Sequence, residues 1–368
     1  MKIIAHISRI LTGLTFMFSG IVKGVDPLGT AYRIEDYLVA YQWEFLLPLA
    51  LFFSIGLCTL EFTIGVMLFF NLRMKLASWL LMLMMIFFTG LTLYDAIYTP
   101  VPDCGCFGDA IKLTNWQTFY KNLVLITLSF FVFVYRKKFN GLLKPTMQWV
   151  TTFAFSLLFA GFSYYCFLHL PVIDFTEWKK GHKLYAENPK PAEYYLTYKN
   201  KSTGKTTEYL SPNYPYNDSL WMAEHEFVSQ RVFDPNEYYG KNLVISDTSR
   251  NQVTESIIRN PEYQLIINSY SLTETKIEAF RELNVFCNQV KAKGVNTAVL
   301  VSAEPNEISN FSKENGISLD FYLADDILLK TMVRSNPGIM LLKNGVIIDK
   351  WHWRDIPDFK DFCEKYKL

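Results

Sequence analysis

The sequence has almost no net charge and few cysteines for its length. Thirty-six Lys and Arg against 35 Asp and Glu leave a formal charge of +1, so the chain has no electrostatic footprint for nucleic acid. Six cysteines in 368 residues, of which only Cys104 and Cys106 are close neighbours, exclude the dense disulfide framework of a small secreted scaffold. No Cys-x-x-Cys occurs anywhere, so the commonest spacing of a redox dithiol is missing. No period of about 20–50 residues recurs, which excludes a solenoid.

What the sequence does have is hydrophobic length. From Ile3 to about Leu170 it is dominated by Leu, Phe, Ile, Met and Val; from Asp174 onward it reads as an ordinary charged soluble protein. The chain is long enough for two units with separate cores, and this shift divides them. A helix needs roughly 20 apolar residues to cross about 30 Å of hydrocarbon. Five stretches qualify: Ile4–Val22, Phe45–Phe70, Leu76–Tyr98, Trp116–Tyr135 and Trp149–Leu170. The first lacks a small-x-small cleavage site and is followed by four more, so it is expected to be retained.

Basic residues without acids collect around Lys2 and Arg9, at Arg73 and Lys75, and at Arg136, Lys137, Lys138 and Lys144. These clusters fall on one face of a five-span chain, and basic residues favour the cytoplasmic side. The expectation is a multi-pass protein of the cytoplasmic (inner) membrane, amino terminus inside and carboxyl-terminal domain in the periplasm or its equivalent. Between the first two spans, Ala31, Ile34, Leu38 and Tyr41 recur at helical spacing, which predicts a short amphipathic helix on the outer membrane surface.

Asp103-Cys104-Gly105-Cys106-Phe107-Gly108-Asp109 then lies outside, between spans three and four. There thiols meet an oxidising compartment, and the intervening glycine lets the backbone bring the sulfurs together. Three readings stay open: a redox-active dithiol, a structural bond from one of these cysteines to Cys166 within the geometric limits on bridging, and a metal site. The metal reading is weak, because two thiols do not complete a zinc site, and no metal is expected. Glu61 sits mid-span, where a charge is costly and usually functional. It can carry a proton, bind a quinone head group or tie two helices together. Asp95, near the outer end of span three, is placed to orient the loop or accept protons from its thiols. No cofactor is required by these residues, and quinone is the one they admit.

Over its first 135 or so residues the chain resembles the DoxX/MauE family of four-helix membrane proteins. The resemblance rests on Phe18-Ser19-Gly20-Ile21-Val22-Lys23, Asp26-Pro27, Leu60-Glu61 and Cys104-Gly105-Cys106-Phe107-Gly108. It implies a role in disulfide formation in envelope proteins. This chain departs by adding a fifth span and a soluble domain, and by lacking the Cys-x-x-Cys of the quinone-linked disulfide oxidases.

Beyond the fifth span, Tyr194–Tyr198 and Thr206–Leu210 flank a turn and read as a β-hairpin. Gln264–Ile267, a helix with Ile277, Phe280, Leu283, Val285 and Cys287 inward, Asn296–Val301, a helix over Pro305–Asn315, and a hairpin around Lys343-Asn344-Gly345 indicate an α/β sheet. From about Leu243 this resembles the thioredoxin superfamily, with Asn336-Pro337 where that family has its cis-proline. The place of the family's two cysteines reads Ser269-Tyr270-Ser271-Leu272-Thr273-Glu274-Thr275, and without a thiolate no exchange can start there.

The expected architecture is therefore an α-helical membrane bundle followed by an α/β thioredoxin-like domain. It divides into a four-helix DoxX/MauE-like unit (1–140), a fifth transmembrane helix (141–171), a β-rich connecting module (172–240) and the thioredoxin-like domain (241–368). The expected function is envelope thiol–disulfide chemistry by Cys104 and Cys106, supported by Glu61 and Asp95. An extracytoplasmic protein partner would dock on Asn336, Pro337, Tyr270 and Ser271. The rivals are a non-catalytic assembly factor and, more weakly, a small-molecule transporter, against which few intramembrane charges argue. Nothing in the sequence fixes an oligomeric state.

Overall fold

The computed structural model describes residues 2–139, 141, 143–186, 188, 190–233 and 242–368. The amino-terminal part consists of α1 (Lys2–Val25), α2 (Pro27–Ala40), α3 (Ala50–Phe69), α4 (Met74–Tyr98), α5 (Asn115–Tyr135) and α6 (Pro145–Leu168). Among the described residues, five helices are long and apolar enough to cross a membrane: α1, α4, α5, α6, and α3 with its leading turn from Glu44. Phe52, Leu83, Ile86 and Leu157 project outward from them and are mostly exposed, as lipid-facing side chains of a spanning bundle must be. The protein is a multi-pass membrane protein, and its spans match those read from the sequence to within a few residues.

Small residues fix the closest helix pair. A Cβ on Gly20 of α1 would stand 2.7 Å from the Phe62 amide nitrogen of α3, and one on Gly65 of α3 would stand 2.5 Å from the Met17 amide nitrogen. Only glycine allows the two backbones to approach this closely. The approach brings polar positions of α1 against the middle of α3.

The short helix α2 forms as the sequence predicts, capped by Asp26, whose side chain accepts from the Gly29 amide at 2.9 Å, with Pro27 in the first turn. Its setting differs from the expectation. Pro27, Thr30, Ala31 and Leu38 are buried, and Ser54 of α3 donates to the Pro27 carbonyl at 2.7 Å. The helix thus lies across one end of the bundle, with protein rather than lipid on its buried face.

The carboxyl-terminal part opens with an antiparallel three-stranded sheet. It contains β1 (Glu193–Asn200), β2 (Thr206–Leu210), the short α7 (Ser219–Glu224) and β3 (His225–Phe233), in the order β2-β1-β3. The hairpin was legible in the sequence, the third strand was not. Then follow α8 (Thr254–Ile258), β4 (Tyr263–Ser269), α9 (Ile277–Lys291), β5 (Asn296–Val301), α10 (Pro305–Asn315), β6 (Phe321–Leu323), α11 (Asp326–Met332), β7 (Gly338–Lys343), β8 (Val346–His352) and α12 (Phe359–Tyr366). The second sheet has the order β6-β5-β4-β7-β8, with β4, β5 and β6 parallel and β7 and β8 antiparallel to their neighbours. Central β4 is buried on both faces: Leu265 and Ile267 pack toward α9 and α12, Ile266 toward α8 and α11. This is a thioredoxin-like arrangement. The expected boundary at residues 240 and 241 lies outside the described residues.

Helix α9 packs with Ala279, Phe280, Leu283, Phe286, Cys287 and Val290 inward. Ile277 and Val285, expected inward, are exposed, because a straight helix on a sheet buries one stripe at three- and four-residue spacing.

Candidate functional site

The Cys-Gly-Cys loop sits at the end of the bundle that α2 crosses. Asp103 accepts from the Gly105 amide at 2.9 Å, Gly105 adopts a left-handed φ of 62°, and the Gly108 amide donates back to the Gly105 carbonyl at 2.9 Å. A side chain at position 105 would be strained in that conformation and would crowd Arg33. Arg33 of α2 holds Asp103 by an ion pair of 2.9 Å. The result is a tight turn in which the Cys104 and Cys106 sulfurs lie 3.2 Å apart. All six cysteines are free thiols. The thiol against Cys104 is that of Cys106; Cys166 is buried near the end of α6, beside the Val172 backbone.

The two thiols are electrostatically unequal. The hydrogen bond from Cys104 lowers the pKa of Cys106 to about 6 against the cost of burial, and the ammonium groups of Lys121 and Lys23 add to the effect. Cys104, as the donor in that bond, is pushed well above its ordinary value, and burial pushes it further. Of the two, Cys106 is the thiol held toward its thiolate and Cys104 the one held protonated, the asymmetry that thiol exchange uses. Lys121 of α5 also stands over the Phe107 ring at 4.5 Å.

Glu61 is tied to α1. Its carboxylate pairs with Lys23 at 2.5 Å, and both side chains are almost completely buried. The Ser19 hydroxyl, one turn before Lys23, lies 2.9 Å from the Glu61 carboxylate and 2.8 Å from the Cys106 carbonyl. Glu61 is thus joined through one hydroxyl to the backbone of Cys106. Asp95 is fully buried and accepts a 2.6 Å hydrogen bond from Tyr37 of α2, whose hydroxyl also reaches Cys104. Both carboxylates expected to support the site therefore reach it, each through one intermediate residue. Sequence reasoning missed Lys121 and Tyr37. Lys121 is the sole charge within Trp116–Tyr135, and a charge within a span was a usable signal.

A cavity of about 280 Å³ adjoins these groups. Cys104, Cys106, Lys23, Glu61 and Lys121 line it together with Arg33 and Asn122, and most of the remaining wall is apolar, with Leu57 of α3 and Leu91 of α4 part of it. Phe87 and Trp43 line it while being largely exposed on the surface of the bundle, so the cavity reaches from the thiols to the lipid-facing side. No group of three or more potential metal-ligating side chains occurs among the described residues.

The thioredoxin-like domain is seated on this end of the bundle. Arg334 donates to Asp26 and to Asp109, at 2.8 Å each. Burial opposes its charge, but the two carboxylates outweigh burial and hold its pKa above the ordinary value. Tyr270 meets Tyr32 of α2 edge-on, with ring centroids 6.2 Å apart. The Asn336–Pro337 bond is cis, and Asn336 links Ser269 (2.7 Å) to the Ser271 carbonyl (2.9 Å). Of the residues expected to dock a partner, Tyr270, Ser271 and Asn336 are half-buried, Pro337 is buried, and Tyr270 is turned toward the membrane helices.

Comparison with known proteins bears on the amino-terminal part. Residues 1–135 match the family model "Methylamine utilisation protein MauE", and the bundle is MauE-like. Curated proteins gave no match. Among solved structures, a solution structure proposed to be a protein disulfide isomerase, from Bacteroides thetaiotaomicron, aligns at 14% identity with a TM-score of 0.26, covering 34% of this chain and 82% of that one.

Proposed function

We propose that this is a thiol–disulfide redox protein of the cell envelope whose working pair is Cys104 and Cys106. The reading is carried by one observation: two sulfurs 3.2 Å apart in a turn that lowers one thiol and raises the other. In the reduced protein the Cys106 thiolate attacks a disulfide of an envelope protein and forms a mixed disulfide. Cys104 gives up its proton through Tyr37 toward Asp95, attacks Cys106, and releases the partner as a dithiol while Cys104–Cys106 becomes the disulfide. In the other direction a partner's thiolate opens that disulfide, and the partner leaves oxidised. The basic connections support a topology with the loop and the thioredoxin-like domain outside the cytoplasmic membrane, where such partners fold. The surface of Tyr270, Ser271, Asn336 and Pro337 would receive a partner once the Arg334 contacts open.

Differential alkylation in cells, with each cysteine replaced in turn, tests this. Cys104→Ser should accumulate a mixed disulfide through Cys106, and Cys106→Ser should trap nothing. If the two thiols never change state in the wild type, and both variants lose only abundance, the chain is an assembly factor and the redox reading is wrong.

A further inference from the structure

The geometry points to the cavity beside Cys106 as a binding site for a lipid-soluble quinone, the acceptor that reoxidises the dithiol. This rests on the dithiol reading above. Closing the Cys104–Cys106 disulfide breaks two S–H bonds, forms one S–S bond and releases two electrons and two protons, and these must leave the site. Within the described part of the thioredoxin-like domain there is nowhere for them to go: Cys287 is buried and Cys363 has no neighbouring thiol. What adjoins the dithiol instead is an apolar chamber among membrane spans, open on its lipid-facing side at Phe87 and Trp43. That chamber selects a ligand that is apolar, partitions into the bilayer and accepts two electrons together with two protons. A quinone has all three properties: its two carbonyls become hydroxyls, and the reduced form returns to the lipid.

The polar end of the chamber suits such a ring. Lys121 and Lys23 are donors for a carbonyl oxygen and counter the charge that builds on it during reduction. Glu61, hydrogen-bonded to Ser19 and paired with Lys23, sits where it can pass a proton. The rest of the wall is mostly apolar, with Arg33 and Asn122 among its few polar members, in keeping with cofactor sites that are largely apolar and orient the ligand with a few polar groups. A phospholipid acyl chain would fill the apolar part equally well but would leave the thiols reduced, so the two occupants differ in outcome.

The test uses the full-length chain, purified, reduced and mixed anaerobically with decylubiquinone, with quinol formation followed optically and the cysteines read by mass spectrometry. In parallel the same protein is equilibrated with glutathione disulfide. Wild type should convert an equimolar amount of quinone to quinol and acquire the Cys104–Cys106 disulfide, and a Cys104→Ser, Cys106→Ser protein should be inert. Leu91→Trp, which fills the chamber from α4, should slow quinol formation at least tenfold; its reaction with glutathione disulfide reports whether the dithiol is intact. Should Leu91→Trp fail to fold, Leu125→Phe narrows the same chamber less severely. Exchange with glutathione without quinol formation overturns the quinone site and leaves the dithiol reading standing. No reaction with either oxidant removes both. Quinol formation at the wild-type rate in the filled variants also overturns the site.

Discussion

Replacing Lys121 by Gln removes one of the two cations that face Cys106 and leaves the length of the side chain. In the wild type the Cys106 thiol titrates at about 6, so at pH 7 about ten thiolates stand for each thiol. The first cause of that low value is the hydrogen bond from Cys104, which the substitution keeps, so the pKa should not return to the range of a free cysteine. A neighbouring opposite charge moves a titrating group by roughly 1–3 units, and with Lys23 still present the lower end applies. The expected midpoint for Lys121→Gln is therefore roughly one unit higher. At pH 6 the thiolate fraction would fall from about one half to about one tenth, and carbamidomethylation of Cys106 would slow about fivefold. At about pH 9 both proteins would reach the same plateau. The assay is the rate of iodoacetamide labelling of the Cys106 peptide in the purified, reduced protein as a function of pH. A pH profile that superimposes on the wild type would refute the account of Cys106 as a thiolate set by Lys121. A plateau lowered at all pH values with an unchanged midpoint would mean that Lys121 acts on access, through its contact with Phe107.

Two further substitutions test the scaffold. Glu61→Gln leaves the Lys23 ammonium buried without its counter-charge and should cost about 3–5 kcal/mol in denaturant unfolding in micelles, with most of it restored by adding Lys23→Met; a loss below about 1 kcal/mol would contradict the buried pair. Arg334→Met deprives Asp26 and Asp109 of their shared donor, worth about 2 kcal/mol for hydrogen bonds to charged groups. Hydrogen exchange over residues 26–33 and 269–275 should then rise by about 30-fold if the thioredoxin-like domain is held by this residue, and unchanged protection would show that it is held elsewhere.

Much of this architecture was legible because its signals are local. The spans are runs of Leu, Phe and Ile that need no partner to be recognised, and β4, β5 and β7 are short, carry apolar cores and are bounded by turns. The cis Asn336–Pro337 bond and the missing cysteines at residues 269–275 could be read from position within one motif. The site was legible only in part, because it is assembled from six separate stretches of chain. Glu61 and the two cysteines stand out in sequence, but their neighbours do so less. Lys23 belongs to the run ending the first span, Tyr37 is one tyrosine among 22, and Lys121 is a single charge in α5. What joins them is the close crossing of α1 and α3 at Gly20 and Gly65 and the placement of α2 across the bundle end. Neither leaves a pattern in the residues that form the site. Strand β3 escaped for a different reason: nearly all of it is exposed, so it lacks the alternation by which half-buried strands are recognised.

The docking contacts also bear on why a thioredoxin-like domain with no cysteine in the loop after β4 should be joined to a bundle whose loop has two. In a thioredoxin-like fold, the loop after the central strand and the cis-proline segment converge on one surface. Here that surface carries Ser269, Tyr270, Ser271 and Asn336 in place of thiols, and Tyr270 and Arg334 turn it toward α2 and the Cys-Gly-Cys loop. Arg334 reaches Asp26, which caps α2, and Asp109, three residues beyond Cys106. One guanidinium therefore ties the domain both to the helix that supplies Tyr37 and Arg33 and to the loop that supplies the thiols. A domain that only tethered a partner could be held at any point on the bundle, and a flexible linker would serve. Fixing it through these two carboxylates couples its position to the geometry around Cys104 and Cys106. The segment before the cis-proline thus holds, through Arg334, the turn that carries Cys104 and Cys106.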